Sequence, residues 1–501
     1  MVVALVPGAR AATGGGDYSN VQYAYHDLDN MSRSTWRHTH LFTDPGYEAA
    51  FVPVAADTWL QAQGIQGEGL RSGRVYTGAG NVLVGGSVGD PRDQNLHPSG
   101  VVDKQVFFLS RTGAKLTGHV WWNNQVRGPE PGVVITTGSI QGHEHMYWWA
   151  AKALAARGFE VLTWDVQGQG ESEGTGHAAG DPRRDANGVP AQQNANFDQG
   201  TIDALEFFLS TPSSLYTPPG WSGLDVAKAR QESSANSEAV DWVNPIWDQL
   251  DRARVGLAGH SLGAYAVSEV QQCADPKAVL HLPICDGRTF PIKAAVAWDA
   301  LSTPPNSNGY PFTPAVPAMS LQADGYFMNP EPALTAPDPN AHLTTGLDTW
   351  RQAKIPAYEA TIRGGIHNEF IQVPYVSMGT RYGTDFAEFY TVAWLERYVA
   401  GDKAATNSLV TGPRDDRNYA ASPLPWATAI GSADETGAYN PWNAHHLSVN
   451  YRSGWYLPDA PKGIPSSVRD IREWAGLSGV GDWKGANRDL VDSQLPPGSA
   501  P

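Results

Sequence analysis

Short runs of apolar residues alternate, through the middle of the chain, with longer segments in which apolar residues recur at helical spacing. The short runs are rich in Val, Ile, Leu and Ala, which is typical of strands buried on both faces of a sheet. They predict strands at residues 105–110, 116–122, 133–136, 159–164, 255–258, 294–298, 318–322 and 357–362. Helices are predicted at residues 146–157, 197–209 and 384–400, and directly after Gly263. This alternation predicts an α/β protein with a mostly parallel, doubly wound sheet.

The periodic pattern is confined to residues 104–401, which we interpret as the principal domain. Residues 13–103 are predicted to be an N-terminal extension packed on this core, and residues 402–501 a loop-rich C-terminal segment. Within the domain, residues 210–244 are rich in Pro, Ser, Gly and Trp and are interpreted as an insertion. Residues 1–12 hold a short apolar run and a small-x-small site, as in the remnant of a signal peptide. An ordinary N-terminus is the alternative.

Gly-x-Ser-x-Gly occurs at three places, around Ser87, Ser172 and Ser261. The first two lead into loops, whereas Ser261 has an apolar strand before it and an Ala-rich helical segment after it. Strand, sharp turn and helix are what a nucleophile elbow requires, with glycines where side chains would collide. The turn also places Ser261 at a helix N-terminus, where N–H groups favour developing negative charge.

Several polar residues directly follow predicted strands: Ser139, Ser261, Asp299, Asp324 and His367. The carboxyl ends of parallel strands meet at one edge of a sheet, so these residues are expected to gather there. A serine hydroxyl needs a base to take its proton and an acid to orient that base. The order Ser261, Asp324, His367 matches the serine, acid, histidine order of α/β-hydrolases.

Across residues 104–401 the sequence resembles the α/β-hydrolase superfamily. The resemblance is carried by Thr137-Gly138-Ser139, by the Asp-x-x-Gly-x-Gly-x-Ser block from Asp165 to Ser172, and by the elbow around Ser261. It implies that Ser261 is the nucleophile, His367 the base and Asp324 the acid, and that the backbone N–H groups of Ser139 and Leu262 form the oxyanion hole. Thr137 stands where the family usually has His.

The identity of the acid has an alternative. The family acid usually follows the second strand after the elbow, which favours Asp324, and Gly325 lets the chain turn back there. Some members place the acid after the earlier strand, which would make it Asp299. Both aspartates remain candidates from the sequence.

The function that this constellation predicts is cleavage of a small or polymeric carboxylic ester through an acyl-enzyme. A peptidase or amidase on the same triad, or a non-catalytic binding module, are the alternatives. Aromatic residues close in sequence to the site residues are candidates for binding the substrate: Tyr147, Trp148, Tyr265 and Tyr326. Oligomeric state is left open.

The net charge of -16, without any basic cluster, argues against a nucleic-acid partner, and no apolar stretch is long enough to span a membrane. No metal and no organic cofactor is expected. A metal site from His143 and His145 with Glu144 is possible, but Glu144 is not a fitting third ligand. Cys273 and Cys285 could close a disulfide in an oxidising compartment. The low Lys and Arg content and the signal-like residues 1–12 predict secretion, with a cytoplasmic location as the alternative.

Overall fold

The computed structural model describes residues 98–139, 143–173, 194–227, 240–299, 301–303, 312–323, 346–362, 367–371, 383–411 and 453–468, with Pro45 and Ala49 as isolated positions. Ten strands form one sheet. They are β1 (Val101–Leu109), β2 (Lys115–Asn123), β3 (Glu130–Thr136), β4 (Glu160–Trp164), β5 (Leu250–His260), β6 (Ile292–Trp298), β7 (Ala318–Ala323), β8 (Ala357–Ile362), β9 (Ser453–Tyr456) and β10 (Ser467–Val468). Their order across the sheet is β1-β2-β4-β3-β5-β6-β7-β8-β9-β10.

The sheet is mixed but mostly parallel, as the alternating pattern predicts. Strands β3 to β8 run parallel to one another, and β2 joins them by pairing antiparallel with β4. Every residue of β3, β4 and β7 is buried. At one edge, β1 and β2 form the predicted antiparallel hairpin, in which Gly113 takes a positive φ of 82°. Strand β1 begins at Val101, slightly before the predicted start of the domain.

Helices cover both faces of this sheet. They are α1 (Trp148–Ala156), α2 (Asn194–Phe208), α3 (Leu262–Val270), α4 (Pro276–Val279), α5 (Leu347–Gln352), α6 (Gly383–Leu395) and α7 (Thr406–Thr411). Val133 and Ile135 of β3 share a hydrophobic cluster with α1 and α6, while Val134 packs in a second cluster with α2 and α3. Alternate residues of a strand point to opposite faces, so the continuous apolar run of β3 supplies both cores.

Part of the C-terminal segment is built into the sheet. Strand β9 pairs antiparallel with β8, and β10 pairs with β9. The buried ring of Trp455 stacks on Tyr358, with ring centroids 6.1 Å apart. The sequence pattern of residues 402–501 did not predict this strand pair. The proposed N-terminal extension lies almost entirely outside the described residues.

Cys273 and Cys285 form a disulfide with their Cα atoms 5.5 Å apart, which confirms the predicted pairing. It ties the turn that follows α3 to the loop before β6. Among the described residues, no helix combines the length and the apolar character needed to cross a membrane.

Candidate active site

Ser261 occupies the junction between β5 and α3, as the elbow pattern predicts. Its backbone has φ 57° and ψ -119°, a conformation that non-glycine residues rarely adopt. Its N–H donates to the carbonyl oxygen of Trp298 on the neighbouring strand at 3.1 Å, and its own carbonyl accepts from Tyr265 at 3.0 Å. These hydrogen bonds hold the strained turn in place. Ser261 itself is half-buried at the carboxyl edge of the sheet.

The two glycines of the elbow are required by close backbone approach. A Cβ on Gly259 would lie 2.3 Å from the carbonyl oxygen of Gly263, and a Cβ on Gly263 would lie 2.3 Å from that of Thr136. Real Cβ atoms do not approach backbone so closely. Strand β5, helix α3 and the end of β3 can therefore meet around Ser261 only with glycine at both positions.

His367 lies in a short 3₁₀ turn after β8, and its ring is hydrogen-bonded to Asp299. The distance from His367 Nδ1 to Asp299 Oδ2 is 2.5 Å. Asp299 directly follows β6, and its Oδ1 accepts from the N–H of Ala323 at 3.3 Å. The structure thus places the carboxylate of Asp299, the alternative candidate for the acid, on His367. Asp324, the candidate favoured from the sequence, lies outside the described residues.

Asp299 shares the backbone strain of Ser261. Its φ is 55°, and the only other non-glycine residues with positive φ in the described part of the chain are Asp286 and Lys354. Those two follow the ends of short helices, where a left-handed residue is ordinary. Ser261 and Asp299 instead follow the adjacent strands β5 and β6, so the unexplained strain is concentrated at one place on the sheet edge.

The loop after β3, which we call the oxyanion loop because it carries the candidate donor Ser139, is held through Gly138. Its N–H donates to the hydroxyl of Tyr147 at 2.9 Å, and its carbonyl accepts from Nε2 of the buried Gln169 at 2.8 Å. Ser139, the next residue, is half-buried. Leu262 is the first residue of α3, so its N–H has no acceptor within the helix. Both candidate oxyanion donors thus lie on segments whose backbone is fixed by neighbours.

His260 connects this loop to His367. Its Nε2 lies 2.9 Å from the carbonyl oxygen of His367, which can only accept, so Nε2 carries the proton. Its Nδ1 then accepts from the hydroxyl of Tyr147 at 3.0 Å. Burial lowers the pKa of His260 well below its ordinary value, and neighbouring His367 lowers it further. A neutral His260 therefore ties the oxyanion loop, the elbow and the histidine turn together.

The block from Asp165 to Ser172 folds into a second loop, the Asp165 loop, which contacts the oxyanion loop through Gln169. Ser172 is fully buried, and its Oγ donates to the carbonyl oxygen of Asp165 at 2.6 Å while accepting from the N–H of Thr117 at 2.9 Å. Gly170 has φ 51°, and a Cβ there would strike the Asp165 carboxyl group. The hydroxyl of Ser172 thus joins this loop to β2 through hydrogen bonds. Ser87 lies outside the described residues.

The predicted substrate-binding aromatics have different positions. Tyr147 is 1% exposed, and its hydroxyl is engaged by Gly138 and His260. Trp148 is half-buried against His119, Trp121 and His145. Tyr265 is half-buried on the first turn of α3, where burial raises the pKa of its hydroxyl. Tyr326 lies outside the described residues.

Glu144, which the sequence offers as a partner for His143 and His145, is turned to other groups. Its carboxylate lies 2.6 Å from His119 Nδ1 and accepts from the Thr163 hydroxyl at 2.5 Å. Glu171, from the Asp165 loop, lies beside the two histidines instead. Burial lowers the pKa of His143 and lowers that of His145 well below its ordinary value.

Three residues of this arrangement were not predicted to support the site: Gln169, Tyr147 through its hydroxyl, and His260. All three act through contacts with residues distant in sequence. The Gly-x-Gly spacing around Gln169 marks a tight loop but carries no information about which segment its side chain will meet. No protein-family model matches the chain, and a comparison with curated proteins finds no similar sequence.

Proposed function

We propose that the protein is a serine hydrolase of the α/β-hydrolase type that cleaves carboxylic esters through an acyl-enzyme. One observation carries the proposal: a strained serine at a glycine-flanked elbow adjoins a strained aspartate that is bonded to a histidine. The backbone strain is the reason to prefer an enzyme over a binding module, because such strain persists where a side chain must be held in a reactive position.

Each group has a defined role in the proposed reaction. The Ser261 hydroxyl attacks the ester carbonyl carbon while His367 takes the hydroxyl proton on Nε2. Asp299 keeps the other ring nitrogen protonated and stabilises the imidazolium. The N–H groups of Ser139 and Leu262 stabilise the oxyanion, each by about 3 kcal/mol.

The alcohol then leaves with the proton that His367 holds. A water molecule, deprotonated by the same histidine, attacks the acyl-enzyme and releases the carboxylic acid. This assignment replaces Asp324 by Asp299 as the acid. The parallel sheet supports the scheme, because its carboxyl edge brings residues that follow β3, β5, β6 and β8 to one place.

Secretion remains part of the proposal. The Cys273–Cys285 disulfide supports it, because such bonds persist in oxidising compartments. The apolar residues at the start of the chain lie outside the described residues.

Labelling by a fluorophosphonate probe tests the proposal, because the probe reacts with an activated serine. We expect the full-length chain to be labelled and to hydrolyse p-nitrophenyl esters, and Ser261→Ala to lose both activities. Ser213→Ala, at an exposed serine, is the matched control and should be labelled like the wild type. Ser172→Ala, scored per folded molecule, should also be labelled. A folded Ser261→Ala protein that still reacts would refute the assignment, and turnover of peptide anilides but not esters would make the enzyme an amidase.

A further inference from the structure

Two loops bring three potential metal ligands close together. His143 and His145 lie on the turn that leads into α1, and Glu171 lies on the Asp165 loop. One ligand-type atom from each of the three residues lies within 4.8 Å of the other two. This cluster has no part in the proposed ester cleavage.

The two imidazoles have nitrogens without a hydrogen-bond partner. His143 is 2% exposed, and both its Nε2 and the Nδ1 of His145 are buried atoms that no polar group among the described residues contacts. A buried polar atom left unpaired costs about 1–3 kcal/mol, so such atoms call for an explanation. Two unpaired imidazole nitrogens beside a carboxylate are explained if a cation binds between them.

The buried carboxylate of Asp165 holds the loops that carry the three ligands. Asp165 accepts the backbone N–H groups of Glu144 at 2.7 Å and Glu171 at 2.8 Å, and so joins the two ligand-bearing loops. Its Oδ1 also lies 3.8 Å from His143 Nδ1. Binding through His143 Nε2 would put the ring proton on Nδ1, on the side of Asp165. The long 3.3 Å contact of Nδ1 with the N–H of His145 would then give way to this carboxylate.

We propose that His143, His145 and Glu171 bind one divalent transition-metal ion, for which Zn²⁺ is the best match, with water as the remaining ligand. Two imidazoles and one carboxylate form a ligand set that zinc accepts in a tetrahedral site. Tetrahedral donors lie about 3.3 Å apart, so small side-chain rotations close the present spacing. His145 and Glu171 are both half-buried, which leaves a path for the ion to enter.

The ion would link the oxyanion loop to the Asp165 loop. His143 follows Ser139 by four positions, and Gln169 already holds Gly138 from the Asp165 loop. A metal bridge between the same two segments would stiffen the backbone that presents the Ser139 N–H. This role does not depend on the identity of the nucleophile.

Metal binding is tested on the full-length chain after dialysis against a chelator. We expect calorimetric titration to show one equivalent of Zn²⁺ bound with micromolar or tighter affinity, and Co²⁺ to give the visible absorption bands of a four-coordinate site. Zn²⁺ should raise the melting temperature of the wild type. His145→Ala and Glu171→Gln should each weaken binding at least tenfold, and Glu171→Gln changes too little in shape to prevent folding.

The double variant His445→Ala/His446→Ala is the matched control, since it removes another closely spaced histidine pair of the chain. It should bind Zn²⁺ like the wild type. Absence of saturable binding would overturn the proposal, as would loss of binding in the control with retention in His145→Ala. Labelling by the fluorophosphonate probe is measured separately, so failure of the metal site and failure of the hydrolase assignment are distinguishable.

Discussion

Asp299 has an unfavourable backbone conformation, and its carboxylate is hydrogen-bonded to His367. A left-handed conformation costs a non-glycine residue of order 1–3 kcal/mol. Here the strand that precedes it is paired on both sides, its N–H is bonded to Leu321 at 2.8 Å, and its carboxylate is shared between Ala323 and His367. The same strain appears at Ser261 on the neighbouring strand. The strained backbone conformation of Asp299 thus occurs where its side chain reaches the histidine.

Replacing the acid tests this assignment. Asp299→Asn should lower kcat for a p-nitrophenyl ester by about 10³–10⁴-fold, because the amide no longer holds His367 in the tautomer that accepts the serine proton. Asp324→Asn, the matched change at the aspartate favoured by the sequence, should lose far less. Circular dichroism of both proteins checks that they are folded. A larger loss in Asp324→Asn than in Asp299→Asn would return the role of the acid to Asp324.

At the scale of elements, the oxyanion loop depends on the turn before α1 and on the end of β5. The buried hydroxyl of Tyr147 accepts from Gly138 and donates to His260, whose other nitrogen donates to the carbonyl of His367. Gly138 must be glycine, because a Cβ there would lie 2.9 Å from His260 Nδ1. One chain of hydrogen bonds thus connects the loop that carries Ser139, the proposed oxyanion donor, with His367, the proposed base.

Tyr147→Phe removes the middle of this chain with little change in shape. The Gly138 N–H and His260 Nδ1 both lose their partner, so we expect kcat to fall by about tenfold to a hundredfold through misplacement of the loop, with little change in KM. Tyr358→Phe is the control, since Tyr358 is also buried and donates to the carbonyl of Leu409 at 2.7 Å, away from the site. If kcat falls equally in Tyr358→Phe, the fall in Tyr147→Phe comes from a general loss of stability and not from misplacement of the loop.

The elements were more predictable from the sequence than the contacts between them. The buried strands and the elbow could be predicted because apolar runs and Gly-x-Ser-x-Gly are local patterns, and residues 357–362 form β8 as predicted. The choice between Asp299 and Asp324 could not be made, because both follow adjacent strands and only the three-dimensional course of the chain decides which one meets His367. The same holds for Glu171, which reaches His143 from another loop.

At the scale of the whole molecule, buried carboxyl groups make stability depend on pH. Burial raises the pKa of Glu160 well above its ordinary value, and raises that of Glu206 to about 7 even with Arg288 at 2.6 Å. Between α2 and α3, Asp198 is hydrogen-bonded to Glu269, and burial together with the Glu269 charge raises the pKa of Asp198 to about 9. The two carboxyl groups therefore share a proton at neutral pH.

The sign of this dependence follows from the raised pKa. Between about pH 4 and pH 9 the unfolded chain has lost the Asp198 proton while the folded protein keeps it, so raising the pH favours unfolding. Each such proton contributes at most about 1.4 kcal/mol per pH unit to the fall in the free energy of unfolding.

Asp198→Asn should flatten this decline, because the amide can donate to Glu269 at every pH and has no proton to lose. Between about pH 6 and pH 9, where the folded wild type keeps the Asp198 proton, we expect the free energy of unfolding of the variant to fall less steeply than that of the wild type. The difference in slope, measured by urea titration, should be up to about 1.4 kcal/mol per pH unit. Asp248→Asn removes the same charge from an exposed position and should change the slope far less than Asp198→Asn does. Equal slopes in all three proteins would show that Asp198 ionises in the folded protein as it does in the unfolded chain.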